Sequence, residues 1–111
     1  KPKNEIFFDN MKDLPYFYRG FKKNPDNQLN VIEKNFVLVI NTNNKKIITI
    51  EIFSNFSSSL TLVNTNIKQT FSKGNAVLTF DADNVNKNFL EFQISDSLKN
   101  KIFQIKKVQT K

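Results

Sequence analysis

The sequence predicts an all-β fold: an antiparallel β-sandwich of about seven to nine short strands, immunoglobulin-like or transthyretin-like. Two observations carry this. The apolar residues are mainly Phe, Ile and Val, with twelve Phe, no Trp and only two Gly; branched and aromatic side chains suit a pleated, half-buried surface better than a helix. Apolar runs also recur about every eight to twelve residues, with turn residues between them and no long helical pattern, which argues against a βαβ fold. No strand length or turn recurs at a fixed period, which argues against solenoids and propellers. At 111 residues, 39% hydrophobic and 24% charged, the chain reads as one ordinary globular domain spanning 1–111, with an irregular N-terminal segment at 1–15.

Residues 4–14 set Phe7, Phe8, Met11 and Leu14 at helical spacing behind an Asn4 cap, while Glu5-Ile6-Phe7-Phe8 reads equally as an edge strand; strand or irregular structure is the preferred reading. Leu14-Pro15 then blocks a helix. Tyr16-Phe17-Tyr18-Arg19-Gly20-Phe21 reads as a short aromatic strand ending near Gly20, with Phe17, Arg19 and Phe21 on one face and Tyr16 and Tyr18 on the other. Residues 22–30, with Asn24-Pro25-Asp26-Asn27, form the clearest loop.

Next, Phe36-Val37-Leu38-Val39-Ile40, the turn residues Asn41-Thr42-Asn43-Asn44 and the run 45–53 read as a hairpin. Ile48, Ile50 and Ile52 share its buried face, and Thr49 and Glu51 the other. Further strands are expected at 60–63, 67–71, 76–80, 89–94 and 102–108, with turns at 64–66, 73–75, 83–84 and 96–100. Phe89-Leu90-Glu91-Phe92-Gln93-Ile94 alternates as a core strand does. The last strand ends in Lys106-Lys107, charge of the kind that defends a sheet edge, although a partner strand can also add there.

Composition narrows the function. The chain has no Cys and no His, which removes the ligands of the usual zinc, copper, haem and iron–sulfur sites. The same absence removes cysteine nucleophiles, Ser-His-Asp triads and imidazole catalysis. The chain is therefore expected not to be an enzyme and to use no cofactor. Asp81 and Asp83 are the carboxylates to consider for catalysis, but neither spacing nor neighbours set them up as an acid–base pair.

Asp81-Ala82-Asp83-Asn84-Val85-Asn86 resembles the opening of a calcium loop. Val85 stands where the third ligand belongs, and no turn glycine or closing carboxylate follows, so the segment reads as a turn. Asn55-Phe56-Ser57 is a formal N-glycosylation acceptor, read here as an ordinary loop in an Asn-rich chain. The serines around it have neither a His to activate them nor a G-x-S-x-G elbow.

The net charge is +7 and the pI about 9.7, a balance that attracts polyanions or anionic surfaces. The charge is spread along the chain, and only one of the 17 basic residues is Arg, the side chain that nucleic-acid readers favour. A solvated Lys surface is the plainer account, and Lys with Asn dominates as in low-GC genomes. Tyr16, Tyr18, Arg19, Lys22, Lys23, Asn24 and Asp26 nevertheless bring aromatic, cationic and loop residues together. They are the candidate partner-binding residues, and the aromatic part also suits stacking on single-stranded nucleic acid.

No apolar run is long enough for a membrane-spanning helix. The Lys1-Pro2-Lys3 start reads as a cut end, so a removed upstream segment is expected. A small Lys/Asn-rich β-sandwich with this start resembles the mature part of a bacterial lipoprotein. In size and in strand pattern from about Phe36 to Val108 it is similar to the TssJ-type outer-membrane lipoproteins of type VI secretion systems, especially the short ones of the Francisella-type system. That resemblance implies a transthyretin-like sandwich, tethered by a lipidated Cys just upstream, that holds an inner-membrane component of the channel. It transfers no binding residue.

The expected function is thus a non-catalytic cell-envelope scaffold or adaptor that binds a protein partner from the periplasm, tethered to the outer membrane through the upstream lipid anchor. No small-molecule substrate is expected. The alternative is a nucleic-acid or anionic-surface binding module, cytoplasmic or secreted.

Overall fold

The computed structural model describes residues 5–6, 17–23, 29–39, 47–81 and 89–110. They form β1 (Glu5–Ile6), β2 (Phe17–Arg19), β3 (Phe21–Lys23), β4 (Leu29–Val31), β5 (Asn35–Val39), β6 (Ile47–Ser54), β7 (Ser58–Leu62), β8 (Lys68–Phe71), β9 (Gly74–Asp81), β10 (Phe89–Ile94) and β11 (Phe103–Thr110), with no helix among the described residues. One antiparallel sheet runs β3-β4-β11-β6-β9, with β1 also on β11, and the other runs β2-β5-β10-β7-β8. The two pack face to face as the predicted sandwich. Seven strands have four or more residues, and four shorter ones extend the sheets. β1 comes from the segment expected to be irregular, and β3 and β4 narrow the expected 22–30 loop from both sides.

Two-residue periodicity decides what is buried. In β6, Ile48, Ile50, Ile52 and Ser54 alternate inward with Thr49, Glu51 and Phe53 between them, as the spacing predicts for the three isoleucines. β11 breaks the period: Phe103 and Ile105 face the core and so does Val108, because a register shift against β6 falls between Ile105 and Lys107. The bulge absorbs the exposed Lys106 and returns Val108 to the inner face. The inner faces meet through aromatic rings. Phe36 lies 5.4 Å from Phe92 and 6.1 Å from Phe103, Phe80 lies 5.1 Å from Phe92, and Phe71 lies 5.3 Å from Phe103. Phe80 and Phe103 belong to one sheet and Phe36, Phe71 and Phe92 to the other, so these rings hold the layers together. Burying each stabilises the fold by about 1.5–3 kcal/mol.

Two expectations are corrected. β5 and β6 do not form a hairpin: β5 lies between β2 and β10 in one sheet, and β6 between β11 and β9 in the other. Both edges of each strand are taken by other partners, so the connection crosses between layers. Asn-rich turn chemistry reverses a chain without specifying whether the return strand stays in the same sheet. The turn itself, residues 41–44, lies outside the described residues. Nor is β11 an edge strand: β6 pairs along one side and β4 and β1 along the other. Lys106 marks a bulge there, not an exposed edge.

Candidate functional site

Two residues of the predicted site, Arg19 and Lys22, fall in different sheets. Tyr16, Asn24 and Asp26 lie outside the described residues, as do residues 82–86 of the calcium-like segment. Tyr18 and Lys23 enter as backbone positions in β2 and β3. The segment read as one aromatic strand is two strands in two sheets, because the chain turns at Gly20, whose φ is +93°. β2 pairs with β5, β3 with β4, and the Ile32 amide donates to the Gly20 carbonyl at 2.7 Å. Together they make a long hairpin bent over the rim of the sandwich. A Cβ at Gly20 would stand 2.7 Å from the Phe36 Cβ, so glycine answers both the left-handed φ and the close approach.

The bend separates Arg19 from Lys22. It also overturns the expected sharing of a face: Arg19 is exposed, whereas Phe21 packs edge-on against Phe36 at 5.3 Å. Arg19 sits on the outer face of the β2-β5-β10 sheet, 3.9 Å from Glu91. Asn35 donates to the same carboxylate at 2.8 Å and accepts from Gln93 at 3.3 Å. Arg19 and Glu91 are the cross-strand neighbours of Val37 on its two sides. Their joined side chains close over it, which accounts for the burial of Val37 (6% exposed) on an outward position. This arrangement is a capped patch of sheet with its one guanidinium already paired.

Lys22 lies beside a more open feature. Lys22, Asn30 and Gln104 are cross-strand neighbours on β3, β4 and β11, and the Gln104 amide donates to the Asn30 side-chain oxygen at 2.9 Å. Next to this polar row lies a groove of about 480 Å³, lined by Asn30, Val31 and Ile32 on one side and by Leu98, Lys101, Ile102, Phe103 and Gln104 on the other. Leu98 packs against the core. Ile32 is 55% exposed and Ile102 46%, so two of the large exposed hydrophobic side chains of the molecule line one depression.

The backbone on both sides is held. Ile32 is anchored to Gly20 by the bond already described. On the other side, the Asn55 amide donates to the Ile102 carbonyl at 3.1 Å, and the Asn55 side-chain oxygen accepts from the Ile102 amide at 2.8 Å. The loop before it closes through Lys101 N–H to Leu98 C=O at 3.0 Å, with Asn100 at φ +59°. The Lys101 ammonium lies 3.4 Å from Asp96 and 5.0 Å above the Phe56 ring. The groove thus offers hydrocarbon, two carboxamides and nearby ammonium groups on a fixed frame. Among the described residues no three acidic side chains gather to hold a metal ion.

Ile32 and Ile102 were not singled out by the sequence reading, although a signal existed. Val31-Ile32 and Ile102-Phe103 are adjacent apolar pairs at strand ends, and in an alternating strand one member of such a pair must face outward. Asn55, read as part of a plain loop, is the residue that fixes one lip. No protein-family model, curated protein or solved structure significantly matches this chain.

Proposed function

We propose that this chain is a non-catalytic protein-binding module, a scaffold or adaptor that holds an extended partner segment in the groove between Ile32 and Ile102. The observation that carries the reading is the exposure of these two isoleucines in one depression whose backbone is fixed on both sides. Apolar side chains held apart from one another on a rigid frame favour docking because little ordering is needed on binding. Lys22 beside the groove and the net charge of +7 select a segment that pairs large apolar side chains with acidic ones. The setting proposed is the cell envelope, supported by the likeness of the strand pattern to small type VI secretion lipoproteins.

The test is a photo-crosslinking residue at position 32, introduced in the cell that makes the protein, with intact-mass analysis and membrane fractionation of the native product. A discrete protein adduct that disappears with Ile102→Asp, on a product recovered with outer membranes and carrying an acylated N-terminal Cys, supports the proposal. Adducts to nucleic acid alone, lost steeply with added salt, would overturn it in favour of a polyanion binder.

A further inference from the structure

We propose that a second copy of this chain adds to the β9 edge, giving a two-fold symmetric dimer in which the β6-β9 sheets of both copies join edge to edge. Among the described residues the sheets end at β2, β3, β8 and β9, with the two-residue β1 as a further short edge, and all but β9 are blunted. β2 has three residues, a register shift and Arg19; β3 has three residues, two of them Lys; β8 has four and carries Lys68. Short length, irregular register and cationic side chains each discourage strand addition.

β9 has none of these features. It runs eight residues in unbroken register with β6, contains no Pro, Lys or Arg, and is uncharged from Gly74 to Phe80. No strand pairs with its outer side among the described residues. Its outward face carries Asn75, Val77 and Thr79, and Val77, 62% exposed, is the most exposed large hydrophobic among the described residues.

Two copies that each carry +7 repel one another over most of their surface. Self-pairing of β2, β3 or β8 would add cations at the seam, whereas β9 avoids this. With Val77 on the two-fold axis, an antiparallel β9 pair sets Val77 against Val77 and Asn75 against Thr79 of the second copy. The same patch on both copies therefore complements itself, apolar against apolar and polar against polar, with no like charges facing each other from Gly74 to Phe80, as a two-fold interface requires.

The experiment is sedimentation of the 111-residue chain over a concentration series, with Val77→Lys, Val77→Asp and an equimolar mixture of the two. Wild type is expected to shift from 12.9 kDa towards twice that mass as concentration rises. Each variant alone should dimerise at least about tenfold more weakly, because like charges meet on the axis, and the mixture should recover dimer through the opposite pair. Position 77 is exposed, so circular dichroism should show both variants folded. A wild type that stays monomeric to about 1 mM, or variants that dimerise as wild type does, would overturn the proposal. Neither result bears on the groove, which lies at the other end of the sheet.

Discussion

Asn55 grips Ile102 twice, donating from its backbone amide at 3.1 Å and accepting at its side-chain oxygen at 2.8 Å. Removing the side-chain acceptor frees one lip of the groove. Asn55→Ala is expected to lower stability by about 1 kcal/mol and to reduce crosslinking from position 32. Asn55→Asp keeps an acceptor and should stay close to wild type. Urea melts with an unchanged m-value, run beside the crosslinking assay, measure both effects.

Gly20 and Gly74 both have positive φ, +93° and +109°, but differ in surroundings. A Cβ at Gly20 meets Phe36, whereas one at Gly74 meets nothing within 4 Å. Gly74→Ala should therefore show backbone strain alone, about 1–2 kcal/mol. Gly20→Ala adds overpacking against Phe36, for a loss of about 2–5 kcal/mol in all. Equal losses at the two positions, read by thermal or urea denaturation, would show that the bent hairpin does not depend on close approach at Gly20.

Arg19 and Lys22 are three positions apart yet belong to different sheets, and their substitutions should separate. Arg19→Ala breaks a half-exposed ion pair with Glu91, so the stability loss is expected to be under about 1 kcal/mol, with partner crosslinking unchanged. Lys22→Glu should leave stability within about 0.5 kcal/mol and reduce crosslinking several-fold, because it reverses the charge beside the groove. The opposite pattern would move the binding surface to the other sheet.

Phe36 is fully buried and touches rings from β3, β10 and β11. Phe36→Ala leaves a cavity where the bent hairpin meets both layers, and a loss of about 3–5 kcal/mol is expected. Phe36→Leu should lose about half as much. Since Gly20 lies against the Phe36 backbone, the two sites are in contact, and Gly20→Ala with Phe36→Leu should be measurably non-additive in a double-mutant cycle.

How much was legible from sequence varies by feature. The sandwich class and most long strands follow from Phe, Ile and Val recurring between Asn-rich turns, and the inward faces of β6 and β10 follow from simple alternation. Pairing was not legible. β5 and β6 looked like a hairpin because turn residues join two apolar runs, and β11 looked like an edge because Lys106-Lys107 interrupts it. Arg19 and Lys22 looked like neighbours for a related reason: Gly20 marked the end of a strand, but not that the chain would cross there from one sheet to the other.

The sequence by itself determined the fold class, the positions of most long strands and the inward faces of regular strands such as β6 and β10, because these are set within each strand by a period of two and the burial of apolar groups. The tertiary structure alone decided which strands are neighbours, which described strands end each sheet and how Ile32 meets Ile102 across one groove. Those depend on contacts between residues far apart in the chain, and a strand's alternation says which face is buried without saying what lies along either edge.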